Sequence, residues 1–356
     1  MNNQTTNPIS TIEDTYGQGL TQSGQIKYNF SNGEQLPKLQ ELDAELESII
    51  NFHKPQWGIN RGGLQKALRE DNAWKKVVEG IVEHINPGLL ETVESDKIYA
   101  GIETPDWPGV TLASSGDLYD PSSNILSING VYSHNIFKQI RLANIDVNNA
   151  NVPIAQTNIV FVEGGKYAVM GLRGGMTWAK TFHGLGSGAI QPRSRKNDPV
   201  FDTVYGEIKE EVNLSEKYLK DVAVAGKVID NVLGRVVVYI SKCDVDMTLN
   251  DFIKHWNDSK AEDKAEHTDI KAYDASIPEA LVKLFAMNGY KKEYVDVKNP
   301  KIVTPMNAYT ILPNSVSGII PALAAQFNLD REWIPYAVNL TDGVVGMSNR
   351  VKNCYK

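Results

Sequence analysis

Residues 186–214, GSGAIQPRSRKNDPVFDTVYGEIKEEVNL, restrict the possible folds of this chain more than any other stretch. Glu207, Glu210 and Glu211 stand at i, i+3 and i+4, so a helix gathers three carboxylates on one side within about one turn. Val204, Ile208 and Val212 repeat on a separate apolar face that can pack on a sheet. Asp198 before Pro199 predicts an N-cap with a first-turn proline, and Asn213 tolerates the left-handed backbone in which helices often end. Like charges at this spacing cost a helix roughly 0.2 to 0.5 kcal/mol per pair, and acids in the last turns also face the negative end of its dipole. Solvent with Lys209 and Lys217 offsets that cost on a plain surface helix. In a metal site, a hard divalent cation seeking oxygen ligands offsets it.

The same stretch resembles the signature box of the Nudix hydrolase family, G-x5-E-x7-R-E-U-x-E-E-x-G-U with U a large aliphatic. Gly188 matches the first glycine, Asp198 stands at the first acid, and Gly206-Glu207-Ile208-Lys209-Glu210-Glu211-Val212-Asn213-Leu214 follows after seven residues. The chain departs from the pattern in three places. The first spacer holds nine residues, Gly206 replaces the arginine that braces the neighbouring glutamate in the family, and Asn213 replaces the second glycine. Upstream, apolar runs at 159–162 and 167–172 are joined by Glu163-Gly164-Gly165-Lys166, which is hairpin chemistry. Trp178 and the segment FHGLGSGAI are similar to the family's next elements. Downstream, VAVAGKVID and GRVVVYISK predict a further strand pair.

The resemblance covers residues 151–330 and implies an α/β fold, a Nudix-like α/β/α sandwich with a mixed sheet. It implies hydrolysis of a diphosphate linkage in a nucleoside diphosphate derivative by metal-activated water, with Mg²⁺ or Mn²⁺ as cofactor. Glu207, Glu210 and Glu211 are the implied catalytic and metal-binding residues, joined at the metal by the Gly188 carbonyl, and Asp198 matches a weaker upstream acid. Arg173 at a strand exit is a candidate for substrate phosphate, with a surface arginine as the plain alternative. Arg193, Arg195 and Lys196 in the lengthened spacer make a candidate anion trap near a helix N-terminus, or else a solubilising loop. Two other readings stay open: a catalytically silent nucleotide-binding module, and a hydrolase of capped RNA or dinucleoside polyphosphates.

Around this core the chain is acidic in front. Residues 1–150 carry 11 Lys and Arg against 19 Asp and Glu, while the remainder is nearly balanced. An acidic first part is a poor nucleic-acid footprint, so nucleic acid is expected only as a capped or 5′-phosphorylated RNA substrate. The expected partner is a small-molecule nucleotide, with a homodimer left open. Cys243 and Cys354 alone cannot build a disulfide framework or a cysteine-rich zinc site. No apolar run nears the roughly 20 residues of a membrane span, and MNNQTTNPIS lacks signal-peptide character, so a cytoplasmic protein with no membrane partner is expected.

Residues 1–36, polar and sparse in apolar positions, are expected to be extended or disordered. Leu39, Leu42, Leu46 and Ile49 predict a helix up to Pro55. A second is predicted through Leu64, Leu68, Trp74, Val78 and Val82 before Pro87. Residues 98–147 read as several short strands. Together 37–150 are expected to form an α+β domain of unknown role, 151–330 the hydrolase domain and 331–356 a tail. A further helix is expected in SVSGIIPALAAQFN, with Pro321 near its start. Gly184-x-Gly186-x-Gly188 and Gly164-Gly165-Lys166 lack the rest of a dinucleotide or phosphate loop and read as turns. None of the six histidines has paired metal spacing. His267 beside Glu266 is the most interesting, in a segment where the family often adds an acid.

Overall fold

The computed structural model describes residues 8–21, 23–31, 33–57, 60–103, 105, 109–174, 180–192, 198–232, 236–261, 263–289 and 310–354. Strands with alternating inward residues build a mixed ten-stranded sheet. Its main path runs Thr310–Ile311, Thr181–Gly184, Tyr167–Arg173, Ala155–Val162, Val236–Val245, Leu219–Asp230, Ser10–Leu20, Val345–Met347. His267–Asp274 pairs with Tyr167–Arg173, and the short strand Gly188–Ala189 pairs with Ala155–Val162. The contact between Ala155–Val162 and Val236–Val245 is parallel, whereas the predicted hairpins are antiparallel. The first of these turns at Glu163, Gly164 and Gly165, all at positive φ.

Each face of this sheet is covered, as alternation along Ala155–Val162 requires. Ile159 and Phe161 join a core with Val316, Ile319, Ile320 and Leu323 of the helix Pro313–Gln326. Val160 and Val162 join a second core with Val200, Val204, Ile208 and Val212 of the glutamate helix Pro199–Val212. The chain is therefore an α/β fold with a mixed sheet and helices on both faces. Helix Pro313–Gln326 is apolar or small all round and buried along almost its whole length, with Pro321 in its interior rather than near its start.

The first 150 residues contribute to both of these cores and to a third. Helices Leu36–Trp57, Arg61–Glu70 and Asn72–Ile85 share an apolar cluster of their own. The expected second helix is broken at Asp71, whose Oδ1 accepts the Ala73 and Trp74 N–H groups and starts a new helix. Region 98–147 holds two long strands, Val110–Asp120 and Ile125–His134, followed by the helix Asn135–Leu142. With Ile26–Phe30 these strands form a three-stranded sheet. Leu112 donates to Ile190 and accepts from Ile154, while Lys227 Nζ and the Tyr239 hydroxyl both donate to Asp117, the lysine at 2.9 Å.

Residues 10–20, within the segment expected to be extended or disordered, form an interior strand of the large sheet. Ser10–Leu20 runs antiparallel to Leu219–Asp230 and parallel to Val345–Met347. The chain's two ends thus meet in the same sheet as the glutamate helix's core, across the boundary the sequence suggests near residue 150. No helix among the described residues is long and apolar enough to cross a membrane.

Candidate active site

The glutamate helix starts and stops as its sequence predicts. Asp198 is the N-cap, its Oδ1 accepting from the Phe201 N–H at 3.3 Å and from the Tyr28 hydroxyl. Asn213 ends the helix at φ 59°. Asp198 is almost fully buried at this cap, and burial lifts its carboxyl above the usual carboxylate range.

The turn after strand Thr181–Gly184 is bound to this helix through Glu211. The Gly186 N–H donates to Glu211 Oε2 at 2.6 Å, the Ser187 N–H donates to Oε1 at 3.1 Å, and His267 Nε2 lies 2.8 Å from Oε2. Gly186 sits at φ +68°, and a Cβ there would come within 3.0 Å of the Ile208 backbone nitrogen, so close helix–turn packing requires glycine. The Gly186 carbonyl in turn accepts from Asn158 Nδ2 at 2.7 Å. Glu211 and His267 are each about 1% exposed at the side chain. Both carboxylate oxygens of Glu211 thus tie strand, turn and helix together.

Glu207 and Glu210 face elsewhere. Both line a cavity of about 290 Å³ with Arg173, Lys138, His183, Ser187, Gly188, Asp230, Asp263, Glu266 and Asn314, and Glu211 is not part of that lining. Gly188 lies directly under Glu207, since a Cβ at 188 would fall 2.2 Å from Glu207 Oε1. The loop carrying Asp263 and Glu266 is pinned to the same helix by the Asp263 N–H donating to the Glu210 carbonyl at 2.9 Å. Arg173 extends from its strand end to within 3.4 Å of Glu266 Oε2 and of His183 Nδ1.

Burial and charge set the protonation states around the cavity. His183 Nδ1 lies 3.4 Å from an Arg173 nitrogen, while Nε2 lies 3.2 Å from Asn314 Nδ2 and 3.4 Å from Thr157 Oγ1. Burial, then the Arg173 charge, hold the His183 pKa well below the usual histidine range, and the ring is neutral at pH 7. Burial raises Glu266 above the usual glutamate range, while Arg173 beside it works the other way. The opposing wall is amide and hydroxyl, from Gln156, Thr157 and Asn314. Such a cavity can hold a polyanion on Arg173 and Lys138 while acids stand beside it.

Sequence reasoning pointed to Arg173, Gly188, Glu207 and Glu210, which the fold brings to this one cavity, and to Glu211, which it sets behind. Arg193, Arg195, Lys196 and Trp178 lie outside the described residues. Lys138, Asp230 and Asn314 were not singled out, because each comes from an element distant in sequence. His183 was visible only as an unpaired histidine. Among the described residues no group of three or more His, Cys, Asp or Glu side chains is arranged to hold a metal ion. The donors at the cavity are nevertheless all carboxylate oxygen on the helix side, the set a hard cation prefers. Magnesium commonly uses one or two carboxylates and completes its shell with water and substrate phosphate, so Glu207 and Glu210 suffice on the protein side.

Compared with known proteins, the chain matches no family model, and no curated protein matches it.

Proposed function

We propose that this cavity is the active site of a Nudix-type hydrolase that cleaves a diphosphate linkage in a nucleoside diphosphate derivative. The observation that carries the reading is the convergence of Glu207, Glu210, Gly188 and Arg173 on one polar cavity beside a helix with the family's acid spacing. Glu207 and Glu210 would hold Mg²⁺ or Mn²⁺, which supplies charge neutralisation at phosphate oxygens and a lowered pKa for an attacking water. Arg173 binds a phosphate oxygen and is kept extended by Glu266 and His183. Glu266 lines the same cavity and is our choice of proton acceptor. Glu211 acts by holding the Gly186–Ser187 turn, and so Gly188, against the helix.

The reading is tested by incubating the full chain with a set of nucleoside diphosphate compounds and Mg²⁺ or Mn²⁺. Release of nucleoside monophosphate, lost in Glu207→Gln with Glu210→Gln, is expected. A folded protein that releases no product from any of them contradicts the hydrolase. A silent nucleotide-binding module is the second reading, favoured by the complete engagement of Glu211 and by Gly206 at the arginine position. It retains binding in that assay without turnover.

A further inference from the structure

Lys138 belongs to neither the glutamate helix nor the strands around it. It sits on Asn135–Leu142, the helix that follows the three-stranded sheet of the first 150 residues, and it lines the cavity together with Gly188, Asp230 and Glu266, which come from chain segments distant in sequence. That helix is well anchored. Ile136 and Phe137 are buried in the first region's own core, and His134 at its N-cap is fully buried with Nε2 2.9 Å from Asp43 Oδ1. The ammonium is thus delivered by a fixed element rather than by a loose arm.

Lys138 is partly buried, and the charged groups that act on it in this cavity are Arg173, Asp230 and Glu266. Burial, followed by the neighbouring charge of Arg173, lowers its pKa, while Asp230 and Glu266 offset this only in part. Two cations lining one cavity repel each other, and partial burial of an ammonium carries a desolvation cost. An anion between them removes both penalties. A phosphate group suits the position, because it accepts from a point-charge ammonium and a forked guanidinium together.

We infer that Lys138 binds a phosphate of the substrate jointly with Arg173, so that the first 150 residues complete the substrate site rather than stand apart from it. The inference rests on the diphosphate reading above for the class of ligand, but its test is binding and does not require turnover. The probe is inorganic pyrophosphate, titrated calorimetrically into the full chain with and without Mg²⁺. Lys138→Met is expected to weaken pyrophosphate binding about tenfold or more, and Lys138→Arg to keep it within about threefold, as the loss of one charge-assisted contact implies. On any substrate turned over, Lys138→Met is expected to raise KM with kcat little changed. Unchanged melting of both variants separates this from misfolding, and Lys138→Gln serves if the methionine variant is unstable. Wild-type affinity in a folded Lys138→Met or Lys138→Gln variant overturns the inference and leaves the hydrolase reading standing. Failure of the wild-type protein to bind pyrophosphate overturns both. Lysine-dependent binding without any hydrolysis upholds the inference and removes only the hydrolase.

Discussion

A single methyl group added at Gly188 would fall 2.2 Å from Glu207 Oε1, closer than any real contact allows. The obstacle is the end of a flexible side chain, so Gly188→Ala moves the carboxylate and leaves the fold intact. Mn²⁺ affinity is expected to drop about tenfold, the low end of the cost of disturbing a metal site's supporting shell. Equal affinity with an unchanged melting curve would mean that Glu207 does not serve the metal. Asp198 offers a test by pH. Its buried carboxyl is raised by desolvation, and Oδ2 has no hydrogen-bond partner. The folded state therefore holds this proton more tightly than the unfolded state. That stabilisation is complete below the usual carboxylate pKa and is lost as pH rises through the higher folded value. Asn keeps the cap, so the stability of Asp198→Asn relative to wild type should improve between pH 3 and pH 7 in denaturant titrations. A relative loss over that interval would refute the assignment. Both Asp198 and Asn213 were legible because capping is local chemistry. Lys138 and Asp230 were not, since nothing near them in sequence hints at a shared cavity.

Elements followed the same division between local and distant causes. The glutamate helix and the hairpin at 155–173 were readable from period, caps and turn residues. The helix Asn135–Leu142 was missed because its N-cap is His134, whose Nδ1 accepts the Ile136 N–H at 3.3 Å, rather than the usual capping residues Ser133 or Asn135 on either side of it. Strand Ser10–Leu20 was hidden for a different reason. Its inward positions include Asp14, which is 4% exposed and paired with Arg350 at 3.1 Å, so the apolar alternation through Ile12 and Tyr16 is interrupted by an acid whose partner lies near the other end of the chain. The strand's position between Leu219–Asp230 and Val345–Met347 makes it indispensable to the sheet. Removing residues 1–20 leaves Leu219–Asp230 as an open edge and uncovers apolar surface, which favours edge-to-edge association. Residues 21–356 are expected to aggregate on size-exclusion chromatography where the full chain does not. A monodisperse fragment with native melting would show that the strand contributes little.

At the scale of the whole molecule, the N-terminal region and the sheet core form one site-bearing structure. The three-stranded sheet is bonded to the turn at Ile190, the large sheet holds both ends of the chain, and the cavity draws on residues from Lys138 to Asn314. A division near residue 150 is consistent with the separate helical core, but it cuts through the cavity and the sheet. The central claim is that Glu207 and Glu210 bind a metal together with a diphosphate in this cavity. Mn²⁺ binding, followed by paramagnetic resonance with and without a methylene-bridged nucleoside diphosphate, tests it directly. Because two carboxylates leave the metal's shell to be completed by phosphate, the diphosphate should tighten Mn²⁺ binding in the wild-type chain, and Glu207→Gln with Glu210→Gln should abolish that gain. Mn²⁺ affinity that ignores the diphosphate, or that survives in the double variant, would contradict the claim.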